Sequence, residues 1–276
     1  MKYSKKNRAE NQKYKVFLDE CVLLDILFGS FLENLRKNDY ELIKYKQKEY
    51  RKGKWQKISE KILSGYTYEM YDTKLTANDV YKLVSNITRK YKRAGINIEF
   101  YTTKEILNEV EKRIKKVFGK KYSAGLKEEV LKNIEEIKDN GSGYLYPIEA
   151  KTNKLFFVKT IEIKKKNGNV YLNYPYKKKR KSFRENEEYE KATMRRLFID
   201  PDDKDWLDAA YYSSMNMILT LDTRIVKYNS KVHRFIPIIN VLEFDDAIKI
   251  AKEYGWKKLK LEVEERWKER NIRYSE

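Results

Sequence analysis

The chain has 276 residues, with 61 Lys or Arg against 42 Asp or Glu, so its formal charge is +19 with the single histidine neutral. At 41% hydrophobic and 14% aromatic residues it is too apolar for a wholly disordered chain, and its length suits two domains or one with large insertions. One cysteine, Cys21, excludes an intramolecular disulfide scaffold and a Cys-cluster zinc site, and one histidine, His233, excludes any mechanism that needs a histidine pair.

The N-terminal MKYSKKNRAENQKYK is charged and lacks the apolar stretch of a secretory signal. No apolar run approaches the roughly 20 residues of a membrane helix, so a cytoplasmic protein with no membrane partner is expected. Lys13 to Leu18 reads as a strand ending at Asp19, and Val22, Leu23, Ile26, Leu27 and Phe31 then recur at helical spacing. Residues 30–95 are highly charged and predicted helical, with one helix over about 78–93. Ile96 to Tyr101 alternates as a strand. Thr102 with Glu105 has the spacing of a capping box, and Ile106, Val110, Ile114 and Val117 form the apolar stripe of the helix it would open. Leu126 to Ile137 predicts another helix. Between the β-rich runs LFFVKTIEIKKK and NVYLNYPY stands Asn167-Gly168, which predicts a basic β-hairpin. Asp200-Pro201 predicts the start of a helix reaching Met215. Met217 to Leu221 and Phe235 to Val241 read as strands, and helices on either side of Gly255 close the chain.

The basic residues fall in runs, at 43–57, 112–122 and 163–184, with Tyr45, Tyr50, Trp55, Tyr171, Tyr174 and Tyr176 among those of the first and third. Cations hold phosphates while aromatic rings stack on unpaired bases, so nucleic acid is the expected partner. The candidate contacts are Lys52 and Lys54, then Lys164, Lys165 and Lys166 on the hairpin, then Lys177, Lys178, Lys179 and Arg180. The competing reading is a Lys-rich solubility surface.

Strands alternating with helices imply a parallel sheet, and ligands bind such sheets outside the carboxyl ends of the strands. Asp19 and Asp222 stand at two such ends, Glu109 lies on the helix after Ile96–Tyr101, and Asp205 lies at the start of the helix leading to Met217. Carboxylates are hard ligands suited to Mg²⁺ or Mn²⁺, which activate water and neutralise charge in phosphodiester hydrolysis. On a plainer reading Asp19 caps a helix, Asp222 belongs to a turn and Glu109 is the solvated edge of its helix. Asp205 competes with Asp202, Asp203 and Asp208, of which Asp203 at N3 has a plain capping and dipole role. His233 is expected in a loop and Cys21 as a small buried hydrophobe.

Three patches, YKVFLDECVLLDIL, EFYTTKEILNEV and DKDWLDAAYYSSMNMILTLDTRI with FIPIINVLEF, resemble the PIN-domain nucleases. The resemblance implies a three-layer α/β/α fold with a central parallel sheet, a metal-dependent nuclease acting on RNA more than DNA, and Asp19, Glu109, Asp205 and Asp222 as the ligands of Mg²⁺ or Mn²⁺. Thr220 matches the hydroxyl residue that supports the last acid. Residues 13–29, 96–118 and 198–250 would form the core. Residues 30–95 would be a helical basic insertion, 119–197 a second insertion carrying the hairpin near 154–176, and 251–276 a C-terminal helix. The chain departs from the pattern in its length, in Cys21 two after the first acid, and in having no legible middle strand after Glu109. The alternatives are a non-catalytic nucleic-acid-binding protein and the toxin of a toxin–antitoxin pair; a homodimer is left open.

Overall fold

The computed structural model describes residues 12–27, 29, 77–118, 124–145, 156–174, 179–194, 201–222, 225–226 and 230–272. Lys52, Lys54, Lys177 and Lys178 lie outside these residues, as do the side chains of Lys179 and Arg180. In chain order the elements are β1 (Gln12–Leu18), α1 (residues 20–27), α2 (Ala77–Arg93), β2 (Ile96–Thr103), α3 (Lys104–Phe118), α4 (Ala124–Asn140), β3 (Ser142–Leu145) and β4 (Phe156–Lys166). Then come β5 (Asn169–Tyr174), β6 (Lys179–Arg184), α5 (Glu187–Met194), α6 (Pro201–Tyr212), β7 (Met217–Thr220), α7 (Ser230–His233), β8 (Ile238–Asn240) and α8 (Phe244–Ile272).

The protein is α/β, built on one mostly parallel sheet. The strand order is β6-β5-β4-β2-β1-β7-β8, with β3 also paired to β4. Strands β4, β2, β1, β7 and β8 are parallel neighbours, while β5 and β6 extend the sheet antiparallel. Strand β7 is buried along its whole length, as a continuous apolar run in the middle of a parallel sheet should be. The alternation of β1 sends Tyr14 to one face, edge-on to Trp256 of α8, and Phe17 to the other, stacked on Trp206 of α6. Helix α2 joins α8 on the first face through Tyr81 against Phe156 and Lys90 on Asp245 at 2.8 Å. Helices thus cover both faces, compatible with a three-layer α/β/α arrangement. No helix among the described residues is long and apolar enough to cross a membrane.

The middle strand that the sequence hides is the first half of β4, whose Phe100↔Val158 to Thr103↔Ile161 pairing is parallel to β2. Its second half leaves the central sheet and pairs with β5, so the predicted hairpin and the missing strand are one continuous element. Segment 119–197, read as peripheral, therefore contributes Phe156–Ile161 to the core. Asn167 and Gly168 both take positive φ, 52° and 68°, the geometry of a two-residue type I′ turn.

Four local expectations need correction. Strand β2 runs on to Thr103, and Thr103, not Thr102, caps α3, its hydroxyl accepting the Ile106 N–H at 3.2 Å. Thr102 stays in the strand with its side chain toward the Leu18 carbonyl. Helix α6 stops at Tyr212, because Ser214 turns left-handed (φ 56°) and the Met215 N–H reaches back to the Ala210 carbonyl at 3.1 Å. His233 is not a loop residue: it ends α7 fully buried, and its Nδ1 accepts the Ile238 N–H at 3.2 Å. That bond and Pro237, which has no N–H, confine the predicted 235–241 strand to Ile238–Asn240.

Candidate functional site

Strand β1 is where the chain order reverses, with β2 on one side and β7 on the other. The crevice outside the carboxyl ends at such a switch point is the usual binding place of open α/β sheets. Asp19 lies one residue beyond β1 in that crevice. Its N–H donates to the Leu219 carbonyl at 3.1 Å, continuing the β1–β7 pairing, and its carbonyl accepts the Leu23 N–H at 3.0 Å, opening α1. Its side chain is 5% exposed. The fully buried Thr220 donates its hydroxyl to Asp19 Oδ2 at 2.5 Å and accepts the Asp222 N–H at 2.9 Å. One hydroxyl thus ties the acid after β1 to the acid after β7.

The third acid of this group is Asp203. Strand alternation carries Phe17 and Asp19 to the same side, and Trp206 stacks on Phe17 while its indole N–H donates to Asp203 Oδ1 at 3.1 Å. Helix α6 is thereby turned so that its first turn meets Asp19. Burial is the main reason that the Asp19 carboxyl is pushed up to about 7; the Thr220 hydrogen bond opposes the shift, and Asp203 and then Asp222 add repulsion.

Asp19 and Asp203 open on a cleft of about 910 Å³ that Glu109, Asp205 and Asp208 also line, while Thr220 and Asp222 lie behind Asp19 and outside its lining. Asp205 is exposed and is not among the groups that chiefly perturb Asp19. Glu109 stands half-exposed with Lys112 Nζ at 2.6 Å and acts on Glu20, not principally on Asp19. Glu20 itself pairs with Arg113 at 2.6 Å. Asp208 borders the same cleft but is already paired. It is fully buried, with Lys165 Nζ at 2.6 Å and Lys204 Nζ at 2.8 Å, and both lysines also hold Glu190. Burial alone lowers Lys165, but its hydrogen bonds to Asp208 and Glu190 carry the ammonium above its ordinary value. Lys164 pairs with Glu162 at 3.2 Å, and Lys166 is exposed at the hairpin tip.

The structure therefore gathers Asp19, Thr220 and Asp222, and adds Asp203, a competitor of Asp205 whose plainer expected role was capping. Position N3 lies in the first helical turn, nearest the strand ends; Asp205 sits in the next turn. The donor set is all carboxylate, which suits a hard divalent cation in kind, although no three such groups among the described residues stand where they could already hold one. The fold and this crevice define an α/β protein with an acid-lined cleft at a topological switch point. No protein-family model, curated protein or solved structure matches the chain.

Proposed function

We propose that the protein is a metal-dependent nuclease, hydrolysing RNA in preference to DNA, with Asp19, Asp203 and Asp222 as its central acids. One observation carries the reading. Three chain-distant carboxylates converge at the carboxyl edge of the sheet, one of them buried, inside a chain of charge +19. Like charges brought together in a basic protein are tolerated where a cation sits. The preference for RNA comes from the resemblance to PIN-domain nucleases, as does the wider ligand set that includes Glu109 and Asp205.

Asp19, Asp203 and Asp222 would hold Mg²⁺ or Mn²⁺, with Asp205 and Glu109 at the rim of the cleft. When bound, the ion supplies charge neutralisation and a more acidic water. Thr220 holds Asp19 in place through its hydroxyl. Trp206 holds Asp203. Arg113 and Lys112, although paired with Glu20 and Glu109, set positive charge along the wall where a phosphate backbone would pass.

The test is cleavage of mixed single-stranded, duplex and hairpin RNA and DNA with Mn²⁺ or with EDTA. A metal-dependent ladder on RNA is expected, lost in Asp19→Asn and Asp222→Asn while binding persists. If either variant cuts as well as the parent, the site is wrongly placed. A second reading, a non-catalytic nucleic-acid-binding protein, is favoured by the pairing of Glu109 with Lys112 and of Asp208 with two lysines, which leaves those acids already neutralised. On that reading Mn²⁺ leaves thermal stability unchanged, whereas an enzyme of this design gains stability from the ion by linkage.

A further inference from the structure

A second cleft, of about 350 Å³, lies at the opposite end of the sheet. Met215 and Ile236, which line it, precede β7 and β8, so it opens at the amino ends of strands whose carboxyl ends point toward Asp19. Its chemistry differs from that of the first cleft. No acidic side chain lines it, in a chain with 42 acids. Two cations do, Arg184 from the end of β6 and Lys260 from α8, and among the described residues neither has a carboxylate partner. Burial pulls the half-buried Lys260 ammonium below its ordinary value, with no anion to offset the effect. Glu188, whose charge acts on Tyr211, is held by Arg234 at 2.5 Å, and Glu190, which accepts the Tyr212 hydroxyl at 3.2 Å, is held by Lys165 and Lys204.

The walls are aromatic. Tyr211 stacks on the buried Tyr189 at 3.8 Å between ring centroids, and Phe235 stands edge-on to both rings. Tyr211 and Phe235 are half-buried, so part of each ring faces the cleft, where Phe183 joins them. Asn186 is fixed by its amide to the Tyr211 hydroxyl at 3.1 Å and by its carbonyl oxygen to the Tyr189 N–H at 2.9 Å. Asn186 thus ties the two stacked rings together through Tyr211 and the backbone of Tyr189.

We infer that this cleft binds a nucleotide unit, with its phosphate between Arg184 and Lys260 and its base against the Tyr211–Phe235 wall. An anion suits the cleft because two cations line it and neither has a carboxylate partner among the described residues. A flat aromatic group suits the cleft because Phe183, Tyr211, Tyr212 and Phe235 line it, beside Asn186, Ser214, Met215 and Ile236, and rings favour stacking. The volume is at the lower end of small-molecule sites, which suits one nucleotide and not a duplex. The same unit can come free or as one residue of a strand. The inference does not depend on the nuclease reading, because it uses none of the acids around Asp19.

The test is equilibrium binding without divalent ions, using adenosine 5′-monophosphate and a short single-stranded oligoadenylate as separate probes. The proteins are the full chain, Asp19→Asn, and Arg184→Ala and Lys260→Ala with their folding checked by circular dichroism. Saturable binding of either probe, at least tenfold weaker in both cation variants and unchanged in Asp19→Asn, is expected. Binding of the monophosphate marks a free nucleotide as the ligand; binding of the oligomer alone marks one unit of a strand. Lys260→Arg should retain affinity, which a merely structural role for Lys260 does not predict. Absence of binding by both probes overturns the inference, as does binding that survives both alanine variants.

Discussion

Two carboxyls, Asp19 and Asp25, are buried in and beside α1, and burial pushes each up to about 7. In the unfolded chain both release their protons near the ordinary value of 3.8. Between those limits the folded protein holds protons that the unfolded chain has lost. The stabilisation is therefore complete below about pH 4 and disappears as the pH rises through about 7. Each group is worth on the order of 4 kcal/mol over that window. The melting temperature in EDTA should fall from pH 5 to pH 8, and Asp19→Asn should remove roughly half of the fall. A profile that Asp19→Asn leaves untouched would show that Asp19 ionises normally. Thr220 carries a hydroxyl for which valine is a near match in shape. Thr220→Val removes two hydrogen bonds, one of them to a carboxyl group, and should cost about 2–3 kcal/mol in denaturant unfolding. If the acids act as proposed, Asp203→Asn should reduce Mn²⁺-dependent cleavage more than Asp205→Asn. Equal losses in a cleavage assay would return Asp205 to the central group.

At the level of elements, β4 does two jobs, supplying a parallel strand to the core and then the first arm of the basic hairpin. Its end is pinned to α6 by Lys165, which is why the hairpin lies along that helix and does not project freely. Asp208→Asn leaves Lys165 and Lys204 without their buried carboxylate and should lower stability by about 3 kcal/mol in urea unfolding. Two glycines make a graded comparison. Gly168 (φ 68°) and Gly255 (φ 81°, ψ 166°) both have open space where a Cβ would go, so an alanine at either meets backbone strain alone. Gly168→Ala occupies the left-handed helical region and should cost about 1 kcal/mol. Gly255→Ala falls in a region almost reserved for glycine and should cost about 2–3 kcal/mol. The reverse order of the two melting temperatures would count against α8 being broken at Gly255.

For the whole molecule the dominant quantity is the charge of +19. Polyanion affinity should fall steeply with salt, by roughly a thousandfold from 50 to 200 mM if six phosphates are contacted, as read from a filter-binding titration. A flat dependence would exclude backbone recognition. Much of the architecture was legible in the residues. The strands at 13–18, 96–101 and 217–221, the turn at Asn167-Gly168 and the break at Gly255 each follow from a local signal, namely apolar runs of fixed period or glycine at a left-handed position. The middle strand was not legible, because Phe156–Lys166 is apolar in its first half and basic in its second and so reads as one hairpin arm. Nor was the cap at Thr103, since Thr102 with Glu105 has the capping-box spacing and only pairing with β4 keeps Thr102 in the strand. Of the proposed site, Asp19 and Asp222 were visible as chain-local strand ends, and Thr220 through the resemblance to PIN-domain nucleases. The place of Asp203 was decided by a contact between distant segments, Trp206 on Phe17. The pairing of Lys165 with Asp208 was decided in the same way. Composition and periodicity determine which segments become strands and helices and that the surface is basic, because those depend on neighbours in the chain. Which charges meet and which are already neutralised depends on how far each strand extends and how each helix is rotated, and only packing sets those.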